Sequence, residues 1–369
     1  MKSFKEEYAE IKLFCESDEF RREIECTKQR LLRKPVVLYG AGAVGVSAAG
    51  VFKHYGIEVN CFCDKGKVGV QNETGLPIIS PQKLLTDYND SNIIICSVNY
   101  AEEIERDLLE LGISQMSIFP KRFLNFHKMT TKDVLPHLNG YEHAYGLFSD
   151  DKSREVLLGR LKCYLTPFPL TLCQLTASPL ISQYFDSKII KLTSAETFVD
   201  CGMYTGDTAK QFFKQVDEKY THYYGFEPDK KNYIIANSNL TGKQNVTLIS
   251  KGLYNSETRL RFNGNITSSS GFDEAGCGDF VEVTSLDLYF TEKPIPSFIK
   301  MDIEGMELQA LRGAKNIIRE YKPKLAICAY HKPEDPYTLL ELIKSYRIDY
   351  KFYLRHYTNS IYETVLYAV

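Results

Sequence analysis

No apolar run in this 369-residue chain approaches the ~20 residues that cross a bilayer, so no transmembrane helix is expected. There are ten cysteines but no C-x-x-C pair, and most lie inside apolar runs such as IIICSV and LAICAY. Zinc cages and disulfide frameworks use paired, regularly spaced thiols, whereas scattered thiols in apolar runs are those of a reduced cytosolic protein. No metal site is expected. Neither sign of charge is in excess: the formal net charge is -2, which creates no field to gather nucleic acid or an anionic membrane. The opening residues, MKSFKEEYAEIKLF, are too charged for a secretory signal, and a cytoplasmic location is the expectation. Tryptophan is absent against 25 tyrosines, from which no function follows. What is present, 44% hydrophobic and 25% charged residues, is ordinary for a folded globular chain long enough for two or three domains.

Residues 1–33 are charged, with apolar residues at intervals of three and four, and read as an amphipathic helical segment. From Pro35 the pattern alternates. VVLYG, VNCFCD, NIIICSV and SIF read as strands, separated by helical stretches and a polar loop containing LPIIS, in a small Rossmann-like domain over 34–127. Residues 128–191 read as a helical connector or lid, its helices kept short by Pro167, Pro169 and Pro179. Alternation resumes over 192–369 with TFVDCG, HYYGFE, NVTLIS, SFIKMDIE, KLAICAYH, YKFYLRHY and YETVLYAV as strands. Only a short link, TNSI, separates the last two, which predicts an antiparallel hairpin. In EGMELQALRGAKNII, Leu308, Leu311, Ala314 and Ile318 fall on one face of a helix. The expected fold class is α/β with two Rossmann-like domains. The second is a mostly parallel sheet closed by a hairpin, the layout of a class I methyltransferase.

Two strand-to-helix turns are glycine-rich. In the first, Gly40, Gly42 and Gly45 form G-x-G-x-x-G, and Asp64 stands about where an acid reaches a ribose. In the second, FVDCGMYTGD, Gly202 ends a strand where a ligand can approach closely, and Asp207 is placed to cap the next helix. Glu227 ends the following strand, where a carboxylate can accept both hydrogen bonds of a ribose diol. Candidates for handling a proton lie at the other strand ends: Asp302 and Glu304 after FIKM, His331 after LAICAY, and with less reason His356 in the hairpin. Glu304 or Glu307 can also serve only to favour the start of the following helix.

Taken in order, FVDCGMYTGD, GFEPD, SLDLYF and FIKMDIEGMELQALRGA closely resemble the FkbM family of S-adenosylmethionine-dependent methyltransferases, a resemblance running from about Ser153 to Val369. It implies S-adenosylmethionine as cofactor, bound along Asp200, Gly202, Met203, Tyr204, Gly206, Asp207, Glu227, Pro228 and Asp302, with Asp302, His331 and Glu304 as catalytic candidates. Cys201, Met203 and Tyr204 depart from the small residues usual in that turn. The implied acceptor is a hydroxyl on a sugar or glycan precursor, in polysaccharide biosynthesis. The lack of an Asn/Asp-Pro-Pro-Tyr/Phe motif agrees, since that motif serves base amines. The first domain resembles the small nucleotide-sugar-binding domain that precedes some sugar-modifying enzymes, so a nucleotide or nucleotide-sugar is a second expected ligand. A homo-oligomer is compatible with the sequence. Two alternatives stay open: an NAD-dependent nucleotide-sugar oxidoreductase working through Gly42 and Asp64, and a nucleotide-binding scaffold without turnover.

Overall fold

The structure, a computed structural model, describes residues 2–54, 56–97, 100–113, 116–119, 134–165, 183–263, 271–272, 279–357 and 363–369. The end of the first predicted domain near Phe126, the connector prolines 167, 169 and 179, and the TNSI link all lie outside these residues. The chain forms two compact units.

The first unit begins with two helices, Phe4–Glu16 and Asp18–Leu32. The first of these opens with a reciprocal capping box between Ser3 and Glu6. A six-stranded sheet follows, in the order β3-β4-β2-β1-β5-β6. Its strands are β1 (Val36–Tyr39), β2 (Cys61–Cys63), β3 (Gly69–Val70), β4 (Pro77–Ile79), β5 (Asn92–Ile95) and β6 (Met116–Ile118). All pairings are parallel except β3 with β4. The LPIIS stretch read as loop supplies β4, because Ile78 and Ile79 are drawn under the sheet's apolar cover.

The second unit holds a seven-stranded sheet in the order β16-β17-β15-β14-β7-β8-β9. These are β7 (Thr197–Cys201), β8 (His222–Phe226), β9 (Val246–Ile249), β14 (Phe298–Met301), β15 (Lys324–Cys328), β16 (Phe352–His356) and β17 (Thr364–Ala368). Only β17 runs antiparallel to its neighbours, so the sheet has the class I methyltransferase arrangement with its hairpin slotted against β15. Central strands β7 and β14 are buried throughout, which explains their near-continuous apolar sequence. A stacked aromatic cluster of Phe198, Phe212 and Phe298 supports one face.

Two features depart from expectation. A separate four-stranded sheet, order β10-β13-β11-β12, is built from β10 (Gly252–Leu253), β11 (Thr258–Asn263), β12 (Gly271–Phe272) and β13 (Asp279–Thr284). The single helix expected over EGMELQALRGAKNII is instead two, Glu307–Arg312 and Lys315–Tyr321. The break falls at Gly313, where a Cβ would stand 2.2 Å from the Tyr254 carbonyl oxygen. Within the connector range, helix Leu138–Leu147 packs on helix Asp335–Tyr346, with Tyr141 donating to the Pro333 carbonyl at 2.6 Å.

Candidate active site

Beyond Cys201 the backbone turns through Gly202, Tyr204 and Gly206, all left-handed, at φ 79°, 49° and 83°. A Cβ on Gly202 would lie 2.0 Å from the Asp302 carbonyl oxygen. The glycine is therefore demanded by the end of β14 beside it, and not by the approach of a ligand as the sequence suggested. Gly202→Ala should destabilise the fold by about 1–3 kcal/mol or more, since both the dihedral and the carbonyl oppose a methyl. The urea midpoint checks this, and an unchanged midpoint would contradict it. Asp207 is not the cap of helix Asp207–Gln215: Gly206 occupies that position, and Asp207 follows as the first helical residue. It still places a negative charge in the first turn. Met203 is fully buried, with Sδ 2.5 Å from where a Gly225 Cβ would be, so only its backbone faces the turn's outer side. Tyr204 is exposed.

Asp200 is also fully buried. Its Oδ1 lies 2.9 Å from Lys300 Nζ, and its Oδ2 accepts from the Tyr223 hydroxyl at 2.8 Å. These two residues face each other because Lys300 and Asp200 are register partners on β14 and β7. Lys300 Nζ also donates to the Gly202 carbonyl at 2.7 Å and stands over the Tyr184 ring. Burial works against its charge, but Asp200 and Asp302 outweigh that and hold Lys300 above the usual lysine value. Asp200 thus supports the turn from beneath instead of meeting a ligand. Lys300 was missed in the sequence, although a lone cation in FIKM opposite a lone anion in FVDC is a readable signal.

Glu227 follows β8, as expected. Its Oε2 accepts from the Tyr204 N–H at 3.0 Å and its Oε1 from the Asp229 N–H at 2.9 Å. Burial pushes this carboxyl up to about 7, against the opposing pull of those two N–H groups. Pro228 is half-buried beside it.

Past β14, Asp302 accepts from the Tyr184 hydroxyl at 3.0 Å and the Tyr330 hydroxyl at 3.1 Å. Burial acts to raise its carboxyl, but Lys300 and then His331 prevail and hold it below the ordinary aspartate value. Glu304 and Gly305 are both left-handed, at φ 55° and 92°, which bends the loop back toward β15. His331 lies 3.4 Å from Glu304, 3.7 Å from Asp302 and 3.2 Å from Glu307. Burial disfavours its charge, yet Glu307, Glu304 and Asp302 overcome this and raise it well above the usual histidine value. A ring protonated on both nitrogens cannot accept a proton, so the base role falls to Asp302 rather than to His331. His356 is fully buried and bonded to Thr364 across the hairpin. Tyr184, Tyr330 and Glu307 were not singled out as members of this cluster, because each reaches it from a separate segment. Glu307, considered only as a helix-start acid, does donate its charge there and also accepts from the Ile303 N–H at 2.9 Å.

In the first unit the glycines divide their work. A Cβ on Gly40 would meet the Cys96 carbonyl oxygen at 2.7 Å, and one on Gly45 would meet the Gly40 carbonyl oxygen at 2.0 Å. Only Gly42 faces open space. Asp64 Oδ2 accepts from the Ala41 N–H at 3.0 Å and Oδ1 from the Gly66 N–H at 2.8 Å. This is the device seen at Glu227, an acid after the second strand holding a turn N–H. Asp64 also lines a cleft of 430 Å³ with Lys65, Lys67, Ser80 and Gln82, to which Gly40, Gly42 and Gly45 do not contribute.

Comparison with known proteins follows the same division. Residues 32–119 match the profile "C2185-like, N-terminal". Among solved structures, methyltransferase FkbM from Methylobacillus flagellatus KT is similar over 91% of this chain and 90% of its own, at 24% identity and a TM-score of 0.63. An rRNA methylase from Streptococcus thermophilus (19% identity, TM-score 0.32) covers 52% of this chain and 95% of its own. Fibrillarin from Aeropyrum pernix, with bound S-adenosyl-L-methionine (11% identity, TM-score 0.35), covers 51% of this chain and 74% of its own. No curated protein matches the sequence. Residues 200–351, the stretch that holds both the glycine turn and the Asp302–His331 cluster, match the profile "Methyltransferase FkbM domain". The chain therefore carries an FkbM methyltransferase domain.

Proposed function

We propose that the protein transfers a methyl group from S-adenosylmethionine to a hydroxyl, on a sugar or glycan precursor. The observation that carries this reading is Glu227, a buried carboxylate at a strand end, hydrogen-bonded to the N–H of the glycine turn. Each of its oxygens accepts one backbone hydrogen bond and keeps a lone pair for a ribose hydroxyl. The turn's backbone and Asp302 complete the cofactor's surroundings, with Pro228 and Tyr204 beside them. Asp200 and Met203 support the turn from below, and Asp207 extends it into the helix. The cofactor supplies a methyl already activated by a sulfonium. The enzyme must align the acceptor, exclude water and take up one proton. Asp302 is placed to accept that proton as the acceptor's O–C bond forms and the methyl's bond to sulfur breaks. Glu304 and His331 fix the electrostatics around it. In the first unit, the open face at Gly42 and the cleft beside Asp64 favour binding of the acceptor's nucleotide moiety, as a recognition module in cytoplasmic glycan synthesis.

Calorimetry tests the cofactor assignment. Micromolar binding of S-adenosylmethionine is expected, lost in Glu227→Ala, with NAD inert. Binding of NAD alone, untouched by that substitution, would overturn it in favour of the first domain. A pH dependence follows from the same carboxyl. In the free protein its folded value is raised, from 4.5 to about 7, so its contribution to stability is fully present below 4.5 and lost as pH rises through about 7. Ribose hydroxyls donate to the ionised form, so affinity should run the other way and rise roughly tenfold from pH 6 to pH 8. One proton should be released per cofactor bound at pH 6, read as a buffer-dependent heat. A flat profile would remove Glu227 from the cofactor site.

A further inference from the structure

The second inference rests on the methyl transfer just proposed and concerns the cluster around His331. Glu304 Oε2 and Asp302 Oδ1 lie 3.4 and 3.7 Å from His331 Nε2, and Glu307 Oε1 lies 3.2 Å from Nδ1. Donor atoms of Asp302, Glu307 and His331 all fall within 4.8 Å of one another. Close by, Asp335 is buried as well, accepting from the Lys332 N–H at 2.7 Å. Negative charge here exceeds what one imidazolium balances. A second observation is independent of that count. The His331 side chain is only 10% exposed, yet neither of its ring nitrogens makes a hydrogen bond of proper geometry. Glu307 Oε2, in a side chain 1% exposed, has no hydrogen-bond partner either. Buried polar atoms left in this way cost about 1–3 kcal/mol each, unless something occupies the space they face.

The geometry points to a divalent-cation site with Asp302, Glu304 and His331 Nε2 as protein ligands and Glu307 as the outer partner on Nδ1. Ligands held about 2.1 Å from one ion lie roughly 3.0–3.5 Å apart, close to the spacing at Nε2 and longer than a good hydrogen bond. Glu307 is itself fixed by the Ile303 N–H, so it can hold the Nδ1 proton and leave the Nε2 lone pair toward the two carboxylates. Oxygen donors with one imidazole suit manganese or magnesium. A cation at this position adjoins Asp302, where the acceptor hydroxyl must come. It would chelate two neighbouring hydroxyls of a sugar and polarise the one that is methylated. The substrate class this selects is a vicinal diol. No metal was expected from the sequence, because these ligands come from two different strand ends and follow no local spacing.

The test uses the full-length protein, stripped with a chelator and titrated with manganese, with free Mn2+ read by electron paramagnetic resonance. One ion per chain is expected, with a Kd at or below about 0.1 mM. Glu304→Gln and His331→Gln should each weaken binding at least tenfold, and Glu307→Gln by roughly 10–100-fold. The exposed Glu257→Gln should leave it unchanged. Thermal melting and S-adenosylmethionine titration of each variant show that the fold is intact. Absence of stoichiometric binding at about 1 mM Mn2+, or binding indifferent to Glu304→Gln and His331→Gln in folded protein, overturns the site. Manganese bound as expected by a parent chain that ignores S-adenosylmethionine would uphold the cation site and sink the methyltransferase reading instead.

Discussion

Lys300→Met should cost the second unit about 3–5 kcal/mol, the largest stability effect expected of any single substitution here. Lys300 and Asp200 are 3% and 0% exposed, and their contact of 2.9 Å spans the two central strands. Removing the cation leaves Asp200 buried with only the Tyr223 hydroxyl as partner, and it frees the Gly202 carbonyl that Nζ had satisfied. Burying an unpaired carboxylate is far more costly than never having buried a pair, which gives the prediction its second half. Adding Asp200→Asn to Lys300→Met should recover a good part of the loss, because the uncompensated charge is gone. Urea unfolding of the parent, both single variants and the double variant measures this as a cycle. A Lys300→Met midpoint within about 0.5 kcal/mol of the parent would mean that the pair does not hold the turn.

Turnover responds most strongly at Asp302. Asp302→Asn is expected to lower kcat about 10²–10⁴-fold, the usual range for losing a positioned proton acceptor. The amide is nearly isosteric, so one carbonyl remains to accept from Tyr184 or Tyr330, and the loop Asp302–Gly305 should keep its path. S-adenosylmethionine affinity should stay within a few-fold of the parent, since the ribose is assigned to Glu227. Calorimetry for the cofactor and S-adenosylhomocysteine formation for turnover separate the two effects. Weakened cofactor binding with kcat preserved would reassign Asp302 to the cofactor. Turnover unchanged in both would place proton uptake elsewhere.

The two effects differ in how far a reader of the sequence could have foreseen them. Asp302 was legible because a strand end on the ligand side of a parallel sheet is a local property: the apolar run FIKM stops and a carboxylate follows. Glu227 and the left-handed positions at Gly202 and Gly206 were legible for the same reason. Lys300 carries an equally clear local oddity, a cation inside a buried strand, but its meaning depends on Asp200 being its register partner. Met203 reads as turn-lining in sequence and lies under Gly225 in space.

What the sequence determined by itself was the periodic content: the strand runs of both sheets, the closing hairpin, the two glycine turns, and acids after the second strand of each. Those follow from alternation, apolar runs and turn chemistry within a few residues, and they were enough to indicate two Rossmann-like units. The tertiary structure alone decided which backbone makes Gly202 obligatory, which carboxylates ring His331, and that Tyr184 and Tyr330 hold Asp302. It also decided that Gly313 breaks a helix against Tyr254, and that the segment after β9 builds a second sheet. Each of these is a contact between distant segments, where burial strips away water and the identity of the neighbour sets the energy. Short-range pattern carries no information about that neighbour.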